Sequence, residues 1–178
     1  MTITVGNSAP DLELEAYVAS APEPRQMRLA DYRGSWVVLF FYPRDFTFVC
    51  PTELQAFAEL EPEFAAEEAV LVAASTDSYW SHKAWFESHP MLASVRYPVL
   101  ADTAHALAAA YGVLLEDGSA LRGTFVIDPD GIVRYASVVD QSVGRSPEEV
   151  LRVVQALRTG ELCPVNWRPG QATLAVAA

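Results

Sequence analysis

Residues 40–53 read FFYPRDFTFVCPTE and join the end of an apolar segment to the start of a helical one. Residues 36–42 are β-branched and aromatic, a composition typical of a buried strand. Pro51 suits the first position of a helix, because its missing N–H would have been unpaired there. Glu53 then takes the third helical position, where an acid favours the positive end of the helix dipole. The stretch therefore predicts a strand followed closely by a helix.

This interpretation places Cys50 at the N-cap of the helix. A sulfur at that position faces unpaired backbone N–H groups and the positive helix end, and both stabilise a thiolate. A nearby arginine would add to the effect, and Arg44 and Arg122 are the candidates. The alternative is a buried structural cysteine, since free cysteine is among the most buried residue types. The C-P-T-E start after a strand, with Thr47 one turn upstream, favours a reactive cysteine.

The composition limits the class of protein. A chain of 178 residues is long enough for one domain with its own core, and a hydrophobic content of 51% argues against disorder. No apolar run reaches the roughly 18 residues needed to cross a bilayer. Residues 1–6 carry no basic or apolar signal segment, so we expect a cytoplasmic protein. A net charge of −11 disfavours nucleic acid and anionic membranes as partners.

The chain contains two cysteines, Cys50 and Cys163. Two cysteines so far apart are not the disulfide framework of a small secreted domain. In a reducing compartment, two cysteines are more consistent with a chemical role, such as a redox reaction, than with a structural disulfide. Any disulfide must join these two positions, either within one chain or between chains.

The rest of the chain predicts alternating helices and strands. Pro62 falls inside the helical run after Cys50 and should kink or divide it. This order predicts an α/β fold with a mixed central sheet flanked by helices. The predicted later elements are a strand at 70–75, a helix at 79–88, a strand near 97–100, a helix at 103–110 capped by Asp102, and a hairpin of 124–127 and 132–135 around a D-P-D-G turn.

The last predicted helix has the best-marked ends. Ser146 is its cap, Pro147 takes the first position and Glu149 completes a capping box. Gly160 follows the last turn, where a glycine commonly ends a helix. Cys163 comes directly afterwards.

The segment around the first cysteine resembles the peroxiredoxins. Their active-site signature, P-x-x-x-T-x-x-C, is met by Pro43, Thr47 and Cys50. The longer string at 41–53 is similar to the two-cysteine branch of the family, the alkyl hydroperoxide reductase C type. The resemblance continues nearly from end to end of the chain. It implies a thioredoxin-like fold.

The resemblance implies a thiol-dependent peroxidase that reduces hydrogen peroxide and alkyl hydroperoxides through a sulfenic acid on Cys50. Cys163, in the string C-P-x-x-W, corresponds to the resolving cysteine. The implied arrangement is a peroxiredoxin domain at 1–160 and a tail at 161–178 that carries this cysteine. The implied partner thiol is Cys50 of another subunit, which gives a disulfide-linked homodimer able to assemble into a decamer. An electron-donor protein would reduce the disulfide. We expect no cofactor, no metal, no nucleic acid and no membrane.

Attack on a peroxide needs a deprotonated sulfur, an aligned O–O bond and a stabilised leaving alkoxide. Thr47 can place its hydroxyl and backbone near the sulfur and the peroxide. Pro43 has no N–H to compete for the thiolate and would shield the pocket from water. Arg122 begins an R-G-x-F segment and, by resemblance, binds the peroxide and steadies the thiolate. Its alternative is a surface arginine at the start of a strand.

Four residues receive supporting roles. By resemblance, Arg145 pairs with Glu53 and holds the arginines in place. Trp85, in S-H-K-A-W, packs near the active-site pocket in the family, although an aromatic residue at helical spacing is more often part of the core. Phe48 would line an apolar collar at the active site or at a subunit interface. The three histidines are scattered, and none is placed to act as a general base for the thiol.

Other classes of protein fit less well. A cysteine hydrolase needs a histidine base, and a thioredoxin-type oxidoreductase needs C-x-x-C, which this chain lacks. The rival from a different class is a ring-forming, chaperone-like or peroxide-sensing assembly with little turnover.

Residues 86–96 contain no G-G-L-G insertion, and no Tyr-Phe helix follows Trp167. The family associates those elements with easy hyperoxidation, so we expect an enzyme that resists sulfinic acid formation.

Overall fold

The computed structural model describes residues 5–19 and 21–174. Residues 1–4, on which the expectation about a signal segment partly rests, lie outside the described residues, as do residues 175–178 of the predicted tail. Over the described ranges, no helix has the length and hydropathy of a membrane span.

A mixed sheet forms the centre of the described structure. Its strand order is β2-β1-β5-β4-β3-β6-β7. β3 and β4 are parallel, as are β4 and β5, and the other neighbouring pairs are antiparallel. The prediction of an α/β fold with a mixed central sheet is confirmed. In chain order the strands are β1 (Leu14–Tyr17), β2 (Arg25–Met27), β3 (Trp36–Phe41), β4 (Ala69–Ser75), β5 (Val99–Ala101), β6 (Arg122–Ile127) and β7 (Val133–Val139).

Helices cover both faces of this sheet. Side chains of α1, α2, α3 and α5 pack in the core on one face, and those of α4 pack on the other. Short 3₁₀ turns lie at Leu29–Tyr32 and Pro90–Leu92. The α-helices are α1 (Cys50–Glu59), α2 (Glu61–Ala66), α3 (Tyr79–Ser88), α4 (Ala106–Ala110) and α5 (Pro147–Thr159).

Strand β3 lies near the middle of the sheet and contributes to both cores, because successive strand side chains point to opposite faces. Val38 and Phe40 belong to the core beneath α1, whereas Val37 and Phe41 belong to the core beneath α4. The ring of Phe40 stacks on Phe57 of α1, with the ring centroids 4.1 Å apart. Burial of each such side chain contributes about 1.5–3 kcal/mol. This packing fixes α1 against the sheet and so fixes where the helix begins.

Most predicted elements are confirmed to within one or two residues, including the strands at 70–75 and 97–100 and the helix at 79–88. Pro62 does divide the helical run, since α1 ends at Glu59 and α2 begins after Leu60. The hairpin is also confirmed, with β6 and β7 paired over more residues than the turn pattern alone predicts.

The start of α4 was predicted wrongly. The helix begins at Ala106 instead of residue 103, because His105 has a left-handed backbone with φ of 60°. Asp102 still caps the first turn of α4, although it is not adjacent to the start of the helix in the sequence. Its carboxylate accepts hydrogen bonds from the backbone N–H groups of Leu107 and Ala108, at 3.1 and 2.7 Å.

The ends of α5 are confirmed, but its capping box is wrong. The Ser146 hydroxyl accepts from the backbone N–H of Glu149 at 3.3 Å, and Gly160 has a φ of 66°. The carboxylate of Glu149, however, accepts from the Arg152 guanidinium at 2.6 and 2.7 Å. A guanidinium one turn along offers two charge-assisted bonds, which are stronger than the single bond of a capping box.

Candidate active site

Cys50 is the first residue of α1, and Val49 is its N-cap. The predicted N-cap position of Cys50 is wrong by one residue, because Val49 already has helical dihedral angles, with φ of −81° and ψ of −39°. The Val49 carbonyl accepts from the N–H groups of Thr52 and Glu53, at 3.1 and 3.4 Å. Glu53 is therefore the fourth helical residue and not the third. The sulfur nevertheless remains in the first turn, within reach of the positive helix end.

A cavity of about 280 Å³ lies at Cys50. The Cys50 side chain is otherwise fully buried, so this cavity is where a reactant can meet the sulfur. The volume suits a small hydroperoxide. The lining residues are Pro43, Arg44, Thr47, Phe48, Val49, Cys50, Asp117, Ser119, Arg122 and Gln141.

Arg122 is the arginine that contacts the sulfur. It begins β6, is 3% exposed, and directs Nη1 to Cys50 Sγ at 3.4 Å. The same nitrogen donates to a carboxylate oxygen of Glu53, and Nε donates to the backbone carbonyl of Gln141 at 2.9 Å. These bonds hold the guanidinium at both ends, so its position beside the sulfur is fixed.

Glu53 is a buried carboxylate shared between two arginines. Its oxygens accept from Arg145 Nε at 2.8 Å, Nη2 at 3.1 Å and the backbone N–H at 2.8 Å. Burial by itself raises the pKa of Glu53, but the hydrogen bonds and charge of Arg145, together with the charge of Arg122, outweigh it and hold the pKa below its usual 4.5. Two guanidinium groups and one carboxylate leave one net positive charge beside the thiol.

Thr47 and Pro43 both line the cavity. The Thr47 hydroxyl donates to the backbone carbonyl of Arg44 at 2.9 Å. Its proton is therefore used within the loop, and its oxygen is left to accept a hydrogen bond from the cavity side. Pro43 is buried and presents no N–H.

Arg44, the other arginine that the sequence offered, makes its contacts at the rim. It donates to the backbone carbonyl of Asp117 at 2.9 Å, and its guanidinium lies 3.4 Å from the Asp117 carboxylate. Phe48 is also at the rim and is 94% exposed. Trp85 is not among the residues that line the cavity, and its buried ring packs against Tyr42 and Phe46.

Cys163 lies in a different cavity, of about 680 Å³, between β7, the end of α5 and the segment that follows. Its Sγ is 3.5 Å from the Thr159 hydroxyl and 3.7 Å from the backbone carbonyl of Ala156. The two cavities share no lining residue. Within one chain, the two thiols therefore occupy separate sites.

The sequence prediction overlooked one group near the site. His82 is fully buried and is hydrogen-bonded to Asp45, in the loop that leads to the reactive cysteine. A signal was present, because His82 falls between Tyr79 and Phe86 at helical spacing and so lies on the apolar face of α3. A polar residue on such a face needs a buried partner.

Together, the fold and the site define the class: a cysteine-based redox enzyme on a thioredoxin-like sheet. Comparison with known proteins gives the family. The AhpC/TSA family matches residues 5–136, and the C-terminal domain of 1-Cys peroxiredoxin matches residues 156–178, a region that contains Cys163.

Individual proteins agree with this assignment. The chain is 48% identical to peroxiredoxin prdx-2 of Caenorhabditis elegans, over 96% of this chain and 88% of the relative. It is 45% identical to the putative peroxiredoxin YkuU of Bacillus subtilis, over 96% and 97%. The crystal structure of reduced Plasmodium vivax 2-Cys peroxiredoxin superposes with a TM-score of 0.90 at 32% identity, over 95% of this chain and 91% of that one.

The chain belongs to the AhpC/TSA family and is a typical two-cysteine peroxiredoxin. It is an oxidoreductase that reduces peroxides with thiols. The thioredoxin-like fold implied by the sequence is confirmed. The rival interpretation, an assembly with little turnover, is not favoured by these relatives.

Proposed function

We propose that Cys50 reduces hydrogen peroxide and alkyl hydroperoxides, and that Cys163 of the partner subunit resolves the resulting sulfenic acid. The observation that carries the proposal is the Arg122 guanidinium, 3.4 Å from the Cys50 sulfur, at a cavity sized for a small hydroperoxide. A buried cation beside a sulfur at a helix N-terminus is the environment that makes a cysteine nucleophilic.

The first step transfers one oxygen from the peroxide. The thiolate of Cys50 attacks the terminal oxygen, an S–O bond forms, the O–O bond breaks and an alkoxide leaves. Sulfur loses two electrons, and the attacked OH group becomes the sulfenic acid hydroxyl. Arg122 would stabilise the charge that develops on the leaving oxygen. The Thr47 oxygen would accept a hydrogen bond from the peroxide OH group, and Pro43 would keep water out.

Glu53 and Arg145 hold Arg122 in this position. The Glu53 carboxylate receives three hydrogen bonds from Arg145, and that guanidinium also donates to the backbone carbonyl of Gly123 at 3.0 Å. Gly123 is the residue after Arg122 in β6. The ion cluster therefore ties the start of α1 to the strand that carries Arg122. A donor held in advance needs no reorganisation during the reaction.

The second step joins the two cysteines. The Cys163 thiol attacks the Cys50 sulfenic acid, an S–S bond forms and water leaves, so the net oxidation state of the pair is conserved. The separate cavities of the two thiols favour a bond between subunits over one within a chain. The division into a domain at 1–160 and a tail at 161–178 with the resolving cysteine belongs to this proposal.

Exposed apolar surface supports the subunit contacts. β7 is an edge strand of the sheet, and Val138 on it is 47% exposed. Three aromatic side chains, from the loop before α1 and from α3, are also exposed, and surfaces of this kind commonly mark protein interfaces. These are Phe46, Phe48 and Trp80. A homodimer that assembles into a decamer is consistent with two such surfaces.

The disulfide must be reduced before the next turnover. We propose that a disulfide-reducing protein of the thioredoxin type supplies two electrons and two protons and restores both thiols. A cytoplasmic location belongs to the same proposal, because a reducing compartment keeps such a donor protein in its reduced, dithiol form.

A non-reducing denaturing gel of the reduced protein, treated with one equivalent of hydrogen peroxide, tests this proposal. We expect a dimer band and loss of both thiols in the native protein, and no such band in Cys50→Ser or Cys163→Ser. A monomer that loses its thiols would instead indicate a bond within one chain or a stable sulfenic acid. Unreacted thiols would overturn the proposed role of Cys50.

A further inference from the structure

Three buried polar side chains lie behind the loop at 43–49, and we call them the loop clamp: Tyr42, Asp45 and His82. The carboxylate of Asp45 accepts from the Tyr42 hydroxyl at 2.8 Å, and its other oxygen lies 2.8 Å from His82 Nδ1. The side chains of His82 and Asp45 are 0% and 1% exposed. A buried carboxylate requires partners of this kind, since leaving it unpaired is costly.

The imidazole ring of His82 is fixed on both sides. Its Nε2 lies 3.3 Å from the backbone carbonyl of Leu100, in β5, while Nδ1 faces Asp45. The Tyr42 hydroxyl is 3.2 Å from the same Nδ1. Burial, and then the charge of Asp45, raise the pKa of Tyr42 well above its usual 10.0, so its hydroxyl remains a donor at neutral pH. The clamp thus connects the end of β3, helix α3 and β5 to one residue of the loop.

Asp45 is held through its backbone as well. Its N–H donates to the Asp77 carboxylate at 2.9 Å, and Asp77 also accepts from the Ser75 hydroxyl at 2.7 Å. Ser75 is the last residue of β4 and is fully buried. The main chain and the side chain of Asp45 are therefore both anchored to the sheet.

The residues between Asp45 and Cys50 are held less firmly. Phe46 is 61% exposed and has a left-handed backbone with φ of 56°, a conformation that costs a non-glycine residue energy. Phe48 is almost fully exposed. Among the described residues, the hydroxyl of Thr47 bonds only to the nearby Arg44 carbonyl. Phe46 adds a ring contact with Trp85, but Asp45 is the last residue before the helix that carries the thiol to have a buried, hydrogen-bonded side chain.

The proposed disulfide requires this region to move. Cys50 is fully buried in its cavity, and Cys163 lies in a separate one, so the sulfur of Cys50 must leave its cavity before it can join a second thiol. During peroxide attack, by contrast, Thr47 and Pro43 must stay beside the sulfur. The two steps place opposite demands on the same loop.

We propose that His82 is a positioning residue: through Asp45, the loop clamp holds Pro43 and Thr47 against Cys50 for oxidation, and it sets how readily the loop releases Cys50 for disulfide formation. This inference rests on the proposed function of Cys50 and Cys163. It has a specific consequence, that a weaker clamp slows the oxidation step and speeds the disulfide step. A general loss of stability does not move these two rates in opposite directions.

The test compares two substitutions of His82 in the full-length protein. The amide nitrogen of asparagine can replace Nδ1 and keep the bond to Asp45, whereas glutamine can replace Nε2 and keep only the bond to Leu100. We expect His82→Gln to slow Cys50 oxidation about tenfold, since small displacements of positioning groups have effects of this order or larger. We expect it to speed disulfide formation about tenfold, because a hydrogen bond to a charged group resists release. His82→Asn should lie close to the native protein in both rates.

Both rates are measurable by stopped flow under single-turnover conditions with hydrogen peroxide, followed by quenching and thiol counting. Val133→Ala is the control, because Val133 is buried in the core on the opposite face of the sheet and should lower stability without changing either rate. If His82→Gln does not fold, Tyr42→Phe removes one donor to Asp45 and should shift both rates in the same directions by less.

The outcomes separate this inference from the proposed function. A native protein that forms no disulfide would refute the function itself. A native protein that does, with His82→Gln equal to Val133→Ala in both rates, would refute the loop clamp alone. Equal effects of His82→Gln and His82→Asn would also refute it, because only one of them loses the bond to Asp45.

Discussion

The two cysteines lie at opposite ends of helices, and this contrast underlies their different proposed roles. Cys50 begins α1, so its sulfur lies in the first turn of the helix, and Arg122 Nη1 is 3.4 Å from it. Cys163 lies against the last turn of α5, with its Sγ 3.7 Å from the Ala156 carbonyl oxygen. A helix N-terminus and a cation stabilise negative charge, whereas a carbonyl oxygen accepts a hydrogen bond from a thiol. The environment of Cys50 suits the nucleophile that attacks the peroxide, and that of Cys163 suits the thiol that reacts later with the sulfenic acid.

Exchanging either cysteine for serine should give the largest effects and the clearest contrast. Cys50→Ser should lower peroxide consumption at least about a thousandfold, as expected when a nucleophile is lost. Cys163→Ser should keep the native rate of the first oxidation but fail to cycle with a disulfide-reducing protein. Stopped-flow oxidation and steady-state turnover measure the two quantities. Cycling by Cys50→Ser, or slow first oxidation in Cys163→Ser, would contradict the assignment.

Arg122→Gln should give the next largest effect. It removes the cation and the donor at the Cys50 sulfur, and the loss of one such donor typically costs about 10²–10³-fold in rate. The second-order rate of Cys50 oxidation is the quantity to measure. Arg44→Gln should reduce this rate less, because Arg44 contacts Asp117 at the rim of the cavity. Arg96→Gln, at an exposed position, serves as the unaffected control.

Glu53→Gln should affect stability as well as rate, because it leaves two buried guanidinium groups without their carboxylate. Breaking a buried ion cluster in this way typically costs about 3–5 kcal/mol in the free energy of unfolding. Since the pKa of Glu53 is lowered in the folded protein, its stabilisation is present above its usual pKa of 4.5 and is lost as the pH falls through the folded value.

The stability difference between the native protein and Glu53→Gln should therefore be largest near neutral pH and shrink below about pH 4.5. Urea unfolding at several pH values measures it. Glu63→Gln, an exposed position on α2, should stay within about 0.5 kcal/mol of the native protein. A difference that grows as the pH falls would show that Glu53 does not stabilise the fold as a carboxylate.

Gly160→Ala should give the smallest effect, and this effect should be confined to the region around Cys163 at the end of α5. Gly160 ends α5 with a φ of 66°, and alanine there should cost about 1 kcal/mol in the free energy of unfolding. The Cys50 oxidation rate should not change. Gly160→Asn is the matched control, since asparagine tolerates this backbone conformation and should recover part of the loss. A slower oxidation in Gly160→Ala would mean that the two regions are coupled within one chain.

Much of the fold was predictable because its signals are local. Pro51 and the C-P-T-E string located the start of α1 to within one residue, and Pro62 located its end. The wrong details were also local competitions. Val49, and not Cys50, is the N-cap of α1, because its backbone is already helical. The Glu149 carboxylate binds the Arg152 guanidinium and so does not complete the capping box. In each case a neighbouring group offered a contact that the periodicity does not reveal.

By itself, the sequence determined that one cysteine would stand at a helix start after a buried strand, and which family the chain resembles. Caps, prolines and periodicity act over one to four residues, so they can be recognised along the chain. The residue pattern left both Arg44 and Arg122 as candidates, and the resemblance favoured Arg122 and the pairing of Arg145 with Glu53. The tertiary structure decided that Arg122 reaches the sulfur and that one carboxylate holds both Arg122 and Arg145. These contacts join residues 72, 69 and 92 positions apart. They depend on the order and register of the strands, and so does the burial of His82 beside Asp45.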